Sequence, residues 1–480
     1  MRVDRPQRLF AREREWGQLE RFWEPLRPGA RLGIVYGRRR QGKTALLEAF
    51  AEATGGFYWQ ALEETSTQNL RDFSAAWNLY RGQPQGQEFT TWSAAIAALF
   101  DLTAETLVIL DEFGYLLACA PEVPSLIQSK LTPRAQREGF TRLVLCGSAF
   151  SQMRGLLSGS AALRGRAEVE LIIEPFDFRT AAAYWKLDAN VDAAFQLHAV
   201  VGGTPAYLSL AREGPRAGNV DKWVVEHLLE PSSPLFREGR IVVTEDPTLA
   251  DRALYWGILA ALAEGHHRRS DLAKALGRTP SSLAFPTKVL TDGGWVDDMP
   301  DPFHPKRTTL HLNDPIVRFY RLIIEPEQRR LVRGDATRVA RDARSMIARQ
   351  IYGPHLEWMA AEWALRFASE STLGGLARFV APGTLQAGTD FQVDLVAVER
   401  APNGKDRIHA IGEVKAGKER VGVAQVARVD DIVARLGHRA APDVHRILVS
   451  RAGFTVELER LAARRPELQL VDLHRLYFGD

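Results

Sequence analysis

Residues 37–44 read GRRRQGKT, and every fixed position of the pattern G-x-x-x-x-G-K-[ST] is filled. The run follows an apolar stretch, RLGIVYG, and opens a helical pattern, ALLEAFAEA, which is the context such a loop requires. Gly37 and Gly42 let the backbone curl, so that the N–H groups across Arg38, Arg39, Arg40 and Gln41 converge on phosphate oxygens. Lys43 would reach the β- and γ-phosphates, and Thr44 would place its hydroxyl on Mg²⁺. A second acidic signal ends the apolar run LVILDEF: Asp111 would hold the magnesium through water and Glu112 would polarise the attacking water. The chemistry predicted from these residues is ATP binding and hydrolysis.

A different chemistry is written at residues 411–418, IGEVKAGK. Upstream, two apolar-alternating runs flank Asn403-Gly404, a strong hairpin-turn dipeptide. A hairpin symmetric about that pair sets Asp394 opposite Glu413, with Cβ atoms about 5 Å apart. Lys415 lies two residues beyond Glu413 and so projects from the same face. Two neighbouring carboxylates repel unless a cation lies between them. With Mg²⁺, or Mn²⁺ in its place, they become hard oxygen ligands whose bound water can attack phosphate. Lys415 could orient that water or stabilise charge on the phosphate. E-x-K by itself is a weak signal; the weight comes from the predicted register.

The elements that must hold these residues follow from periodicity. Strands are predicted at 31–37, 56–62, 105–113, 142–150 and 167–176, alternating with helical patterns, the mark of a parallel sheet covered by helices. From about 177 the pattern is helical, broken at GGTPAYL (202–208). Pro, Ser and Thr gather at 231–248, a boundary signal. Three short helical patterns and a β-like tail follow, with Ser270 a predicted N-cap and Gly277 a predicted turn residue. Their second helix, SSLAFPTKVL, offers little beyond Lys288 and serines for reading base edges, whereas HHRR (266–269) could touch phosphates. An Arg-rich helical segment, 329–350, spaces Arg338, Arg341 and Arg344 by three, and reads first as a solvated face. The last stretch reads helix, strand, strand, helix, strand, helix.

Together, GRRRQGKT, LVILDEF, LVLCGSAF, LRGR (163–166) and GGTPAYL resemble the archaeal-type ATPases, AAA+-like P-loop proteins of the STAND group. The resemblance implies an α/β multidomain chain. Its parts would be a parallel-sheet ATPase core (1–178), a helical lid (179–240), a winged helix-turn-helix (241–328), an Arg-rich linker helix (329–350) and a restriction-endonuclease-like α/β domain (351–480). Carried over by position, Ser148 resembles the polar sensor ending the fourth strand, and Arg166 the candidate arginine finger. Arg164 stands where an aromatic is expected, which leaves open which arginine acts. Gly203 and Pro205 match the lid turn that senses nucleotide in relatives. The pattern D-(x)n-E-x-K is similar to the PD-(D/E)XK nucleases, which implies a third metal-site acid at Glu357 and a functional Gln at Gln425, although Val393 replaces the Pro before Asp394. DNA is then the implied substrate or ligand, and defence or mobile-element processing the implied setting. A finger acting in trans would require a homo-oligomer.

Composition bounds the answer without choosing it. The formal net charge of +3 and pI near 8.8 permit nucleic acid as a partner without demanding it. Of 62 basic side chains ten are Lys and the rest Arg, the residue suited to bidentate phosphate contact. Two cysteines cannot staple 480 residues or build a structural zinc site alone. No apolar stretch reaches the roughly 18 residues needed to span a bilayer, and MRVDRPQRLF lacks the apolar run of a signal peptide. Cytoplasm, with no membrane partner, is the predicted setting. The favoured expectation is an ATP-driven switch coupled to a Mg²⁺-dependent DNA nuclease. Its rivals are a nucleotide-controlled regulator or scaffold with an inactive nuclease-like domain, and a chaperone-like ATPase.

Overall fold

The five apolar runs of the first third each become a strand: β1 (Arg31–Tyr36), β2 (Phe57–Gln60), β3 (Thr106–Asp111), β4 (Thr141–Gly147) and β5 (Ala167–Ile172). The computed structural model that shows this describes residues 3–480 apart from 25–28, 87, 149, 160, 246–248, 250 and 401–405. The strands form one sheet in the order β2-β3-β4-β1-β5, with every neighbouring pair parallel. Parallel neighbours need crossovers, and the three inner strands β1, β3 and β4 are buried along almost their whole length, as strands covered by helices on both faces are. Alternate residues divide between two cores. Leu32, Ile34, Trp59, Leu110 and Leu145 meet Phe73, Trp77 and Trp92 on one face. Val35, Ile109, Val144 and Cys146 meet Trp16, Leu46, Leu47 and Phe50 on the other. Edge-on aromatic contacts lock the first face, with Phe57 5.0 Å from Trp77 and Trp59 5.3 Å from Phe73. Each such contact adds about 0.5–1.5 kcal/mol beyond its buried area.

This sheet belongs to a compact unit of Met1–Pro175 and Thr244–Ala250; Phe176–Val243 and Asp251–Asp480 form a second. In the second unit, helices Arg252–Ala263, Arg269–Ala275 and Ala284–Asp292 precede an antiparallel pair, β6 (Val296–Asp301) and β7 (His304–Leu312). The helix expected to be capped by Ser270 begins at Arg269 without a side-chain cap, and the Ser270 hydroxyl turns to Asp271 instead. Gly277 takes the left-handed conformation of a turn, φ 61°.

The tip of the β6–β7 pair is not a free loop. Phe303 is buried in the core built by Leu385, Val393, Val396 and Leu448. Asp301 caps it, its Oδ1 accepting from the Phe303 N–H at 2.8 Å and its Oδ2 from the Thr384 N–H at 3.2 Å. Arg439 Nη1 donates to the Phe303 carbonyl at 2.9 Å. Burying a phenylalanine this fully is worth about 1.5–3 kcal/mol.

The Arg-rich segment is not one helix. Gly334, at φ 88°, separates Glu325–Val332 from Ala336–Asp342, because only a residue without Cβ takes that angle cheaply. Arg341 and Arg344 make long ion pairs with Asp342 (3.6 Å) and Asp221 (3.8 Å) and are otherwise solvated.

The second large sheet orders β12 (Leu468–Asp472), β11 (Ala440–Ser450), β10 (Asp406–Lys415), β9 (Thr389–Arg400) and β8 (Phe379–Ala387). It is mixed: β8, β9 and β10 run antiparallel, whereas β10, β11 and β12 are parallel. The sequence pattern predicts only two strands before the Ala424–Ala434 helix, and β8 is the addition. Its Pro382 and Gly383 read as a loop, but the ladder shifts between Ala381 and Gly383. The extra residue lies on β9, which advances from Val396 to Val393 while β8 advances from Ala381 to Gly383, so Pro382 sits on an edge strand opposite a bulge, where a missing N–H does least harm. Among the described residues no helix is long and apolar enough to cross a membrane.

Candidate functional site

Two constellations stand at the ends of strands, one in each unit. The first grows from β1. Beyond Tyr36 the chain turns at Gly37, where an added Cβ would fall 2.3 Å from the Ile173 carbonyl oxygen, so only glycine fits. Arg40 (φ 68°) and Gly42 (φ 84°) take left-handed angles, and the helix Lys43–Thr54 starts directly after them. Lys43 is buried and its Nζ donates to the carbonyls of Gly37 and Arg38, both at 2.9 Å, holding the loop closed on itself. Burial pushes this ammonium below its ordinary pKa, while Cys146, Glu112 and Asp111 act in the opposite direction.

The sheet order puts β4 between β1 and β3, yet the ends of β1 and β3 converge. Thr44 Oγ1 donates to Asp111 Oδ2 at 2.8 Å, and the Tyr58 hydroxyl donates to the same oxygen at 2.8 Å. Burial, then the charge of Asp111, holds the Tyr58 phenol protonated. The Glu112 N–H donates to Asp111 Oδ1 at 2.8 Å. Glu112 itself is left-handed, φ 48°, which carries it off the strand axis. Ser148, at the end of β4, donates to Glu112 Oε1 at 3.0 Å. Thr44 and Asp111, the pair suited to Mg²⁺, are thus already in contact, and the residues present fit that ion.

Several partners of this site carry no motif. Arg12, buried and left-handed, donates through Nη2 to the carbonyls of Gln41 (2.9 Å) and Glu174 (2.8 Å), tying the loop to the end of the sheet. Arg39 Nη2 donates to the Tyr115 hydroxyl at 2.7 Å and its Nη1 to Glu245 Oε2 at 3.0 Å. Arg40 approaches the same Glu245 oxygen at 3.5 Å. Arg166 Nη1 donates to the Leu131 carbonyl and Arg164 Nη1 to that of Gly159, both at 2.8 Å. Pro205 lies in the second unit, where it opens the helix Ala206–Ala211 and its carbonyl accepts from the Tyr184 hydroxyl. Gly203 beside it is packed so closely that an added Cβ would meet the Phe176 carbonyl oxygen at 1.8 Å.

The second constellation lies on β9 and β10. Asn403-Gly404 falls outside the described residues. Nearest the turn the partners are Asp406 with Arg400 and Ile408 with Val398; a shift between Ile408 and Ala410 then gives Ala410 with Ala397 and Gly412 with Leu395. His409 is the inserted residue; the ladder ends at Gly412 with Leu395, one residue short of Asp394 and Glu413, and its last three pairs follow the register predicted above. Asp394 Oδ2 accepts from the Val414 N–H at 2.9 Å. Lys415 Nζ stands 2.6 Å from Glu413 Oε1, and Arg428 Nε, on the Ala424–Ala434 helix, 3.6 Å from Oε2. That Oε2 is buried and accepts no hydrogen bond. Glu357 comes from the helix Gly353–Arg366. Burial, then the charge of Asp394, raises its carboxyl to about 7, while Arg318 and Lys415 pull it down. Asp394 is raised too, first by burial, against the Val414 N–H and Lys415. Among the described residues no three His, Cys, Asp or Glu form a ready-made metal cluster. An acid pair with one oxygen that accepts no hydrogen bond nevertheless fits a hard cation that keeps most of its waters. Gln425 lies on the same helix as Arg428, half-buried.

Comparison with known proteins bears on the first constellation. Residues 9–210 match the family described as an ATPase domain predominantly from Archaea. An uncharacterized protein of Methanocaldococcus jannaschii, MJECL04, is 24% identical over 307 residues, 61% of this chain. The match spans 64% of that relative's own length. Among solved structures, the Walker-type ATPase PABY2304 of Pyrococcus abyssi aligns with 67% of this chain and 98% of its own, at 19% identity and a TM-score of 0.48. The ORC2 protein of Aeropyrum pernix aligns with 72% of this chain and 98% of its own, at 18% identity and a TM-score of 0.42. Residues 9–210 carry a P-loop ATPase domain of the kind found predominantly in Archaea.

Proposed function

We propose that this chain is an ATP-hydrolysing switch joined to a Mg²⁺-dependent nuclease-type centre that acts on DNA. The observation that carries the second half is the carboxylate pair, Asp394 and Glu413 on the neighbouring strands β9 and β10, with Glu413 Oε2 buried, accepting no hydrogen bond and 3.6 Å from Arg428 Nε. Like charges so placed are costly unless a cation joins them. Asp394, Glu413 and Glu357 would hold the metal, which when bound supplies an activated water and a countercharge for phosphate. Lys415 is close enough to Glu413 to orient that water or to stabilise the phosphate. In the first unit, the loop N–H groups would bind the triphosphate, Lys43 would bridge its outer phosphates, and Glu112, aligned by Ser148, would take the proton of the attacking water.

DNA contact is supported on the exposed side of the Ala284–Asp292 helix, where Phe285 and Lys288 stand out, and at Lys306 and Arg307 on β7. The tip at Phe303 is buried and contributes nothing to such a surface. One observation favours the rival regulator with an inactive centre: Lys415 already neutralises Glu413 at 2.6 Å without metal.

The test is cleavage of linear, circular and single-stranded DNA in Mg²⁺ or Mn²⁺, with and without ATP, by wild type, Glu413→Ala and Lys43→Ala. Cleavage lost in Glu413→Ala supports the nuclease, and its dependence on ATP and Lys43 supports the switch. Intact DNA under every nucleotide state leaves the regulator.

A further inference from the structure

We propose that Arg39 is the arginine that acts on the terminal phosphate of nucleotide bound in its own chain, and that Glu245 occupies its guanidinium until nucleotide arrives. The proposal deepens the ATP-hydrolysis reading and rests on it.

Arg39 sits inside the phosphate loop, two residues after Gly37, so its backbone is fixed where the phosphates would lie. Its side chain turns toward the acid that would activate water. Nη2 donates to the Tyr115 hydroxyl at 2.7 Å, and the Tyr115 N–H donates to the Glu112 carbonyl at 2.9 Å, so the residue that holds the guanidinium follows Glu112 by one helical turn. The charges of Arg39, Glu112 and Lys43 act on one another, which agrees with a common neighbourhood. The arginines near the end of the domain are engaged elsewhere, Arg166 on the Leu131 carbonyl and Arg164 on that of Gly159.

Glu245 supplies the second half. It belongs to the Thr244–Ala250 segment, which the chain adds to the first unit some seventy residues after leaving it at Pro175. One carboxylate oxygen stands 3.0 Å from Arg39 Nη1 and 3.5 Å from Arg40 Nη1. An anion shared by two loop arginines occupies ground that a triphosphate, with more charge and more acceptor oxygens, would contest. In turnover the water oxygen bonds to the terminal phosphorus as the bond to the bridging oxygen breaks. Its electron pair stays on ADP, and the water proton passes through Glu112 to the phosphate released. The freed Arg39 fork would neutralise the charge that builds on that phosphate, the part an arginine finger plays, at about 10³–10⁵-fold in rate.

The experiment measures ATP turnover, and separately the Kd of ATP and of ADP, in the full chain at several protein concentrations. Arg39→Ala is expected to lose about 100-fold or more in turnover while ATP Kd changes less than about tenfold. Arg39→Lys, which keeps the charge but not the fork, should recover part of the rate. Glu245→Gln should tighten ATP by about threefold or more without tightening ADP, and Arg39→Ala combined with Glu245→Gln should lose that gain. Turnover per chain should not change with concentration, because the arginine acts in cis. The proposal is overturned if Arg39→Ala turns over at the wild-type rate, if turnover per chain rises with concentration, or if Glu245→Gln leaves ATP affinity unchanged. A wild type that binds ATP and turns over none defeats the hydrolysis reading instead; the ATP-over-ADP difference in Glu245→Gln then decides the proposal by itself.

Discussion

The two acidic centres of this chain are built on opposite electrostatic terms. Asp111 receives three donors, the Thr44 and Tyr58 hydroxyls and the Glu112 N–H, all at 2.8 Å. Asp394 receives the Val414 N–H, and Glu413 Oε2 accepts nothing. Three donors hold the Asp111 carboxylate in place whether or not ligand is present. Burial first, then the charge of Asp394, drives Glu357 toward its neutral form. The first centre is organised by its own hydrogen bonds; the second, on the proposed reading, would be completed by a cation.

That contrast can be broken or sharpened by experiment. The largest expected effect is complete loss of DNA cleavage in Asp394→Ala, with ATP turnover retained; loss of both would mean that the centres are not separate. Next, Lys43→Ala should cut ATP turnover by about a thousandfold, while Mg²⁺ binding at the second centre, read by calorimetry, stays as in wild type. Third, Phe303→Ala should cost about 4 kcal/mol, since it empties a closed core. Urea unfolding followed by Trp fluorescence checks this, and a midpoint equal to wild type would show that the hairpin tip is not held as described.

The smallest effect concerns pH. The folded-state pKa of Glu357 is raised to about 7. Its contribution to stability is therefore fully present below the ordinary glutamate range and is lost as pH rises through 7. The loss amounts to at most about 3 kcal/mol. Without metal, urea midpoints should fall between pH 5 and pH 8, and Glu357→Gln should remove that part of the fall. A variant with the same slope as wild type would mean that Glu357 is ionised throughout.

Much of the first centre was legible because its parts are contiguous or end a strand. GRRRQGKT, the DE after LVIL and the Ser ending β4 each carry their position in their neighbours. Arg12, Tyr58, Tyr115 and Glu245 were invisible, since each reaches the site by a tertiary contact that no local pattern encodes. At the second constellation hairpin symmetry matches the ladder from Ala410 to Gly412, although by a compensated route. The ladder near the turn is one residue out, and the insertion at His409 restores the pairing that symmetry predicts. Strand β8 was hidden by Pro382 and Gly383, which signal a loop unless a bulge receives them. Ser270 has the chemistry of a cap, yet the helix starts one residue earlier.

The placement of Phe303 bears on ancestry and engineering. Reading along the chain, a boundary between the three-helix segment and the last sheet looks natural, and a gene fusion or a truncation would be cut there. The phenyl ring, with Asp301 and Arg439 around it, makes that cut pass through a shared interior. Neither piece inherits a finished surface. A designer who moves the sheet to another scaffold must carry the hairpin with it.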